Sequence, residues 1–131
     1  MYIKLIQPRM TKRPMDTELK IRMSPPLGLY TIASMFAERH KVVVENENIT
    51  PIVWDDAPDV VGITITVNLL PRAIEIARKF RERGSKVVAG GIHITTASET
   101  VPENCFDALC IGPAELTWPQ IIDDLERVFE T

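Results

Sequence analysis

Apolar residues along this chain fall into short, nearly continuous runs that are separated by segments with helical periodicity. Runs rich in valine, isoleucine or leucine cover residues 2–6, 42–45, 60–65, 86–89 and 108–111. Runs of this kind are typical of parallel strands that are covered on both faces, because neither face of such a strand meets water. The pattern therefore predicts five strands in the interior of an α/β domain.

Three helices are predicted between and after these runs. The first follows Ser24-Pro25-Pro26, where a serine cap precedes proline in the first turn. The second is capped by Asn68 and ends at Gly84, and the third starts near Thr117, while residues 98–103 form at most a short helix. The predicted inward faces are Leu29, Ile32, Ala33, Phe36 and Ala37, then Ala73, Ile76, Ala77 and Phe80, then Trp118, Ile121, Ile122, Leu125 and Val128.

Strands that alternate with helices predict right-handed crossovers and a doubly wound parallel sheet. With five strands the expected order is 2-1-3-4-5, which is the three-layer flavodoxin-like (Rossmann-like) α/β arrangement. Residues 50–59, between the second and third strands, are too few for a covering helix. Because an exposed apolar patch commonly finds a partner, this segment predicts a homodimer or a concentration-dependent association.

The length of 131 residues suits a single domain, residues 1–131, that can bury its own core. The net charge of -3 implies no basic face, which argues against nucleic acid as a partner. No segment is long enough to cross a membrane and no signal peptide is recognisable, so a cytoplasmic protein is expected. Cys105 and Cys110 form no metal or redox spacing and are interpreted as small apolar residues.

Small and hydroxyl-bearing residues follow the third, fourth and fifth predicted strands. Ligands of doubly wound sheets bind beyond the carboxyl ends of the strands, near the switch point between the first and third strands. Glycine lets a ligand approach the backbone, and hydroxyl groups and free amides supply hydrogen bonds. The predicted lining suits a large, amide-rich or phosphate-bearing ligand and consists of Thr64, Thr66, Asn68, Gly90, Gly91, His93, Gly112 and Glu115.

Several of these residues also have a purely structural interpretation, which the sequence leaves open. Gly90 and Gly91 could form only a tight exit from a strand, and Thr64 and Thr66 could be ordinary β-branched strand residues. Glu115 could serve only to stabilise the positive end of the last helix.

Motifs of several other proteins with this fold are missing from the sequence. A phosphoacceptor receiver domain requires an aspartate at the end of the third strand, where this chain has Thr64, and acidic residues where it has Gln7-Pro8. Pro8-Arg9-Met10 cannot imitate the phosphate loop of a flavodoxin. Neither G-x-x-x-x-G-K-[ST] nor G-x-G-x-x-G occurs, and no nucleophile–base set is recognisable. The sequence therefore predicts no catalytic residue and no metal ligand of its own.

Four segments, taken in order, carry a resemblance to a known family. They are Pro25-Pro26-Leu27-Gly28, residues 58–64, residues 87–93, and Ile111-Gly112 followed by Glu115, Thr117 and Trp118. Together they resemble the N-terminal cobalamin-binding domain of cobalamin-dependent radical S-adenosylmethionine enzymes, over nearly the whole chain.

The resemblance implies a role for particular residues. Thr64 and Thr66 would meet the nucleotide tail of cobalamin, and Gly90 and Gly91 would match the paired glycines beside it. Residues 112–115 would match the family's G-E-G-E turn, although here that turn reads Gly112-Pro113-Ala114-Glu115 and lacks one acidic residue and one glycine.

The resemblance implies a module that seats cobalamin for a radical S-adenosylmethionine catalytic domain, in cis or in trans, without a complete active site of its own. The sequence has no C-x-x-x-C-x-x-C motif, so no iron–sulfur cluster is expected in this chain. The altered turn supports an alternative, a cofactor-free interaction or sensory domain that keeps the same fold.

The mode of cobalt ligation is also predicted. Many cobalamin proteins on this fold carry D-x-H-x-x-G after the first strand, but here that loop has no histidine before Pro25. His40 is expected at the opposite edge of the sheet, and His93 beside the nucleotide tail. Bound cobalamin is therefore expected to be base-off, with no histidine ligand.

Overall fold

The computed structural model describes residues 1–9, 27–65, 70–90, 105–110 and 114–130. These ranges contain five strands and three helices, which follow one another in the predicted order. No helix within them is long and apolar enough to span a membrane. The elements are β1 (Tyr2–Gln7), α1 (Leu27–Phe36), β2 (Lys41–Asn46), β3 (Val60–Thr64), α2 (Leu70–Glu82), β4 (Lys86–Gly90), β5 (Ala108–Leu109) and α3 (Ala114–Glu130).

The five strands pair in parallel, in the order β2-β1-β3-β4-β5, which confirms the predicted topology. β1 and β3 occupy the middle of the sheet because the chain reverses its winding direction between them. Residues of α1 and α3 pack on one face of the sheet, and residues of α2 pack on the other. The fold is thus a three-layer flavodoxin-like α/β fold.

α2 covers its face of the sheet with the predicted stripe. Ala73, Ile76, Ala77 and Phe80 are all buried, because residues at this spacing fall on one side of a helix. The helix is followed by Gly84, whose φ of 92° is one that residues with a side chain rarely adopt.

The opposite face is built around a tryptophan that lies over a glycine. Trp118 of α3 is buried, as predicted, and its indole lies directly above Gly62 in the middle of β3. A Cβ atom at position 62 would lie 2.5 Å from the Cη2 atom of Trp118 and 2.8 Å from the Cδ2 atom of Leu5. Only glycine therefore leaves room for this close approach of helix and sheet.

Residues 50–59 cover part of the α2 face without forming a helix. Ile52 is buried in the core of that face, and the ring of Trp54 lies 5.1 Å from the ring of Phe80, measured between centroids. Ile49 and Val53 remain exposed, at 50% and 47% of their surface. The segment has no covering helix, as expected, but it supplies apolar contacts to the sheet and leaves two apolar side chains in solvent.

A fully buried lysine holds this segment on the sheet. Lys4 of β1 is 0% exposed, and its Nζ donates to the backbone oxygen of Val53 at 2.8 Å. The same Nζ forms ion pairs with Glu45, at 2.9 Å, and with Asp56. Asp56 also accepts a hydrogen bond from the hydroxyl of Tyr2. Since all three ammonium protons have acceptors, the cost of burying this charge is offset.

Two helix boundaries differ from the sequence prediction. α3 begins at Ala114 rather than near Thr117, because alanine and glutamate favour a first helical turn and a carboxylate suits its positive end. α1 ends at Phe36, and Ala37, which was predicted to face inward, is exposed in the following turn. The predicted caps at Ser24 and Asn68 and the short helix at 98–103 lie outside the described residues.

Candidate cofactor site

The carboxyl edge of the sheet is the place where this fold gathers polar groups. All five strands run in the same direction, so all of them end at this edge. α1, α2 and α3 each follow a strand, and their amino termini therefore point to the same edge. Free N–H groups and a partial positive charge at helix amino termini favour anions and carbonyl oxygens.

Two of the predicted lining residues lie next to each other at this edge. Thr64 is the last residue of β3 and pairs in register with Gly90, the last residue of β4. The strands stay joined one residue further, because the N–H of Ile65 donates to the oxygen of Gly90 at 2.7 Å. Thr64 is partly exposed, whereas the four residues before it in β3 are buried.

The structure gives Gly90 a packing reason of its own. A Cβ atom at this position would lie 3.3 Å from the Cβ atom of Cys110, which is tighter than most such contacts. Gly90 therefore lets β4 pack closely against the chain that follows β5. Gly90 therefore has a structural explanation in addition to the predicted contact with a cofactor.

The other predicted lining residues are not brought together by the described structure. Glu115 lies in the first turn of α3, at the correct edge, but its side chain lies outside the described part. The remaining predicted residues lie outside the described residues: Thr66, Asn68, Gly91, His93 and Gly112.

Sequence reasoning missed an ion pair at this edge. Glu47, directly after β2, accepts hydrogen bonds from Arg72 in the first turn of α2, one of them from Nε at 3.0 Å. Glu47 also accepts from the backbone N–H of Arg9 at 2.8 Å, and its own N–H donates to the oxygen of Gln7 at 3.0 Å. The pair thereby joins the ends of β1 and β2 to the start of α2.

The electrostatics of this pair keep both groups charged. Burial raises the pKa of Glu47, but the hydrogen bonds from Arg72 and from the backbone of Arg9 lower it more, and the net pKa lies below the usual range. The hydrogen bond that Arg72 donates to Glu47 in turn raises the pKa of Arg72. One signal was available in the sequence: a cation in the first turn of a helix opposes the helix dipole, so an arginine there indicates a nearby carboxylate.

His40 lies at the opposite, amino edge of the sheet, between α1 and β2, as the sequence predicted. It is 8% exposed, its Nδ1 lies 3.2 Å from the amino nitrogen of Met1, and its ring lies 6.3 Å from that of Phe36. Burial lowers its pKa from 6.5, and the nearby amino terminus lowers it further. His40 is therefore a packed, neutral residue far from the ends of the strands.

The described residues contain no group of three histidine, cysteine or acidic side chains that could hold a metal ion. One cleft lies between α2 and the segment before β5. Its walls are made by Ile74, Arg78, Arg81, Glu82 and Cys105. These residues lie in α2 from Ile74 onward and before β5, and so away from the ends of β1 and β3.

The fold and the carboxyl edge define a class: doubly wound α/β domains that bind a ligand beyond the ends of their strands. Within that class, a sequence model of the B12 binding domain matches residues 23–122 of the chain. The chain belongs to the B12-binding domain family, and the resemblance found in the sequence is confirmed.

The chain is also similar to larger proteins named as methyltransferases. It is 33% identical over 115 residues to the uncharacterized methyltransferase PH0819 of Pyrococcus horikoshii, covering 79% of this chain and 25% of that protein. It is 33% identical over 100 residues to the bacteriochlorophyllide d C-8(2)-methyltransferase of Chlorobaculum tepidum, covering 76% of this chain and 22% of that protein. It is 31% identical over 106 residues to the uncharacterized methyltransferase sll1242 of Synechocystis, covering 79% and 20%. The chain thus spans a quarter or less of these relatives.

Proposed function

We propose that this chain is a cobalamin-binding module that seats the cofactor at its carboxyl edge for a radical S-adenosylmethionine catalytic domain, in cis or in trans. The observation that carries the proposal is the match to the B12 binding domain over residues 23–122, which include β2, β3, β4 and β5 and the starts of α1, α2 and α3. The likeness to proteins named as methyltransferases supports methyl transfer as the reaction that such a domain pair serves.

The groups at the carboxyl edge fit cobalamin chemically. The nucleotide tail of cobalamin carries a phosphodiester, and the amino termini of α1, α2 and α3 offer the partial positive charge that an anion needs. The nucleotide tail also needs hydrogen-bond partners, and the hydroxyl of Thr64 at the end of β3 would be one of them. When bound, cobalamin would supply a cobalt atom that carries a methyl group. Residues proposed to hold it are Thr64, Thr66, Asn68, Gly90, Gly91, His93, Gly112 and Glu115.

The task of the chain in this proposal is to hold and orient the cofactor. The ion pair of Glu47 and Arg72 makes the rim of the site rigid, because it fixes the ends of two strands to one helix. A rigid rim lowers the entropy cost of binding a large ligand.

A direct test is incubation with hydroxocobalamin, removal of free cofactor by desalting, and measurement of the absorption that stays with the protein. We expect retained absorption in the natural chain. Thr64→Val should weaken binding about fivefold, as expected for the loss of one hydrogen bond of about 1 kcal/mol. Gly91→Val should weaken it more, because a side chain would fill space that the ligand needs.

Two variants serve as matched controls. Thr31→Val makes the same chemical change at an exposed position of α1, and Gly84→Ala changes a glycine after α2, at the amino edge. Both should bind as the natural chain does. If the natural chain retains no cobalamin although its circular dichroism is that of a folded α/β domain, the cofactor-free interaction or sensory domain becomes the better interpretation.

A further inference from the structure

β2 forms one edge of the sheet, and its backbone offers hydrogen-bonding groups on the outer side. The N–H groups of Lys41 and Glu47 donate to the oxygens of Met1 and Gln7 in the direction of β1. Since directions alternate along a strand, the backbone groups of Val42 and Val44 point away from β1. Within the described part of the chain these outer groups have no hydrogen-bond partner.

The middle of this edge lacks the usual protection against pairing. Natural edge strands are guarded by charged residues, proline or bulges at their centre, but here the centre is Val42, Val43 and Val44. The exposed side chains of Ile49 and Val53 add apolar surface beside the end of the same strand. An edge with these properties favours pairing with another strand.

We propose that the partner is a second copy of this chain, which pairs its own β2 antiparallel to the first around a twofold axis through Val43. In this register Lys41 lies opposite Glu45 of the second copy, and Glu45 opposite Lys41, so that both ends of the strand pair carry opposite charges. The sequence Lys-Val-Val-Val-Glu of residues 41–45 is thus complementary to itself in the antiparallel direction.

The hydrogen-bonding phase of β2 is compatible with this register, and the charge pairing distinguishes it from registers shifted by two residues. With the axis at Val43, Val42 faces Val44 of the second copy, and both residues point their backbone groups outward, so they form hydrogen-bonded pairs. Val43 and the Lys41–Glu45 pairs then occupy non-hydrogen-bonded positions, where side chains lie closest. If the pairing shifted by one residue, the outward-pointing backbone groups of one copy would face residues of the other copy whose backbone groups point inward, toward β1. The hydrogen bonds between the two copies would then be lost.

The charged groups can make the new contacts without giving up their present ones. Lys41 is exposed, and its Nζ lies 4.6 Å from the centre of the Tyr2 ring, at the surface. Glu45 accepts from Lys4 at 2.9 Å and from the N–H of Val53 at 3.1 Å, one bond to each oxygen. Each carboxylate oxygen keeps a second lone pair for a partner's ammonium group.

Sedimentation velocity over a range of protein concentrations tests the association itself. We expect the natural chain to shift from monomer to dimer as concentration rises. Lys41→Glu sets two carboxylates against each other at both ends of the strand pair and should raise the dissociation constant about tenfold or more. Lys86→Glu is the matched control: it makes the same change of charge at the start of β4, inside the sheet, and should dimerise as the natural chain does.

Disulfide trapping tests the register. In a Cys105→Ser background, Val43→Cys puts two thiols on the axis, with Cα atoms about 4.5 Å apart, which is within disulfide reach. Oxidation should yield a covalent dimer. Val42→Cys should not, because that residue faces Val44 of the second copy. Thermal unfolding of each variant verifies the fold.

Three results would overturn the proposal. A monomer at every concentration would exclude association through this edge, and equal dimerisation of the Lys41→Glu and Lys86→Glu variants would exclude the charge pairing. A dimer in which Val43→Cys does not cross-link would exclude the register. None of these measurements involves cobalamin, so their outcome is independent of the proposed function.

Discussion

Single residues in this protein carry packing constraints that their sequence neighbours do not reveal. Gly62 sits in a run of apolar residues where any β-branched residue would suit the strand, but the indole of Trp118 occupies the space above it. A side chain at position 62 would have to displace the indole or the end of Leu5. The glycine is therefore required by a residue 56 positions later in the chain, at 118.

Gly62→Ala should lower the free energy of unfolding by about 1–3 kcal/mol, the usual cost of overpacking a core. In a Trp118→Leu background, which leaves more room, the same substitution should cost less, and urea unfolding of the four proteins of this double-mutant cycle measures the difference. Gly84→Ala is the control, since no atom lies within 4 Å of a Cβ there and its cost comes only from the positive φ. Equal costs of Gly62→Ala in both backgrounds would show that the indole is not the obstacle.

The buried neutral His40 predicts a pH dependence of stability. Its pKa in the folded chain is lowered from 6.5, first by burial and then by the amino terminus. The unfolded chain therefore binds the proton more tightly, and stability should fall as the pH is lowered from 7 through 6.5 toward the folded-state pKa. His40→Gln should make stability less dependent on pH in this range, because the group that takes up the proton on unfolding is removed. An unchanged slope in His40→Gln would contradict the assignment.

At the scale of elements, the ion pairs of the buried Lys4 hold the segment between β2 and β3 on the sheet, where this fold usually has a helix. The connection between β2 and β3 has no helix, and Lys4 reaches through the apolar face to bind Val53, Glu45 and Asp56. Burial raises the pKa of Asp56, but the hydrogen bonds from Lys4 and Tyr2 lower it more, so that it stays ionised. The lysine thereby fastens an irregular segment to the strand beneath it.

Lys4→Met should lower the free energy of unfolding by about 3 kcal/mol, because it leaves two partly buried carboxylates without their cation. Hydrogen exchange at the backbone of residues 50–59 should speed up more than exchange in α3, on the other face. Lys86→Met, at the partly exposed start of β4, is the control and should change little. Uniform acceleration across both faces would mean that Lys4 stabilises the whole sheet and not this segment.

At the scale of the whole molecule, the two edges of the sheet have different chemistry. The amino edge holds His40 and the ion pair of Arg39 with Glu126, with nitrogen and oxygen 3.3 Å apart. The carboxyl edge holds the starts of the helices, Thr64 and the pair of Glu47 and Arg72. A cofactor at the carboxyl edge is thus separated from His40 by the length of the strands.

Bound cobalamin should therefore be base-off and lack a histidine ligand. Neutral imidazole is a good ligand for cobalt, so the alternative is chemically reasonable. Electron paramagnetic resonance of the cobalt(II) form distinguishes them, since an axial nitrogen splits the lines into triplets. We expect none in the natural chain or in His40→Ala. Triplets that disappear in His93→Ala would identify His93 as the ligand and contradict the prediction.

The sequence predicted those features that depend on local periodicity. The strand order followed from five apolar runs and their spacing, and the stripe of α2 from the spacing of Ala73 to Phe80. Lys4 could not be recognised as buried, because a lysine in an apolar run looks like a surface residue and its partner Asp56 lies far along the chain. The same limit concealed the pair of Glu47 and Arg72, two residues from separate elements that only the folded edge brings together.

The chain has two tryptophans, and the sheet separates them. Trp54 lies on the α2 face, with the ammonium of Lys79 4.6 Å from its ring, and Trp118 is buried on the other face. Trp54→Phe and Trp118→Phe each leave one tryptophan, so tryptophan emission from either variant reports on a single layer of the molecule. Loosening of the segment at 50–59 should shift only the emission of Trp54 to longer wavelength. Detachment of α3 should shift only the emission of Trp118. The fold thus contains its own pair of optical reporters, one for each side of the sheet.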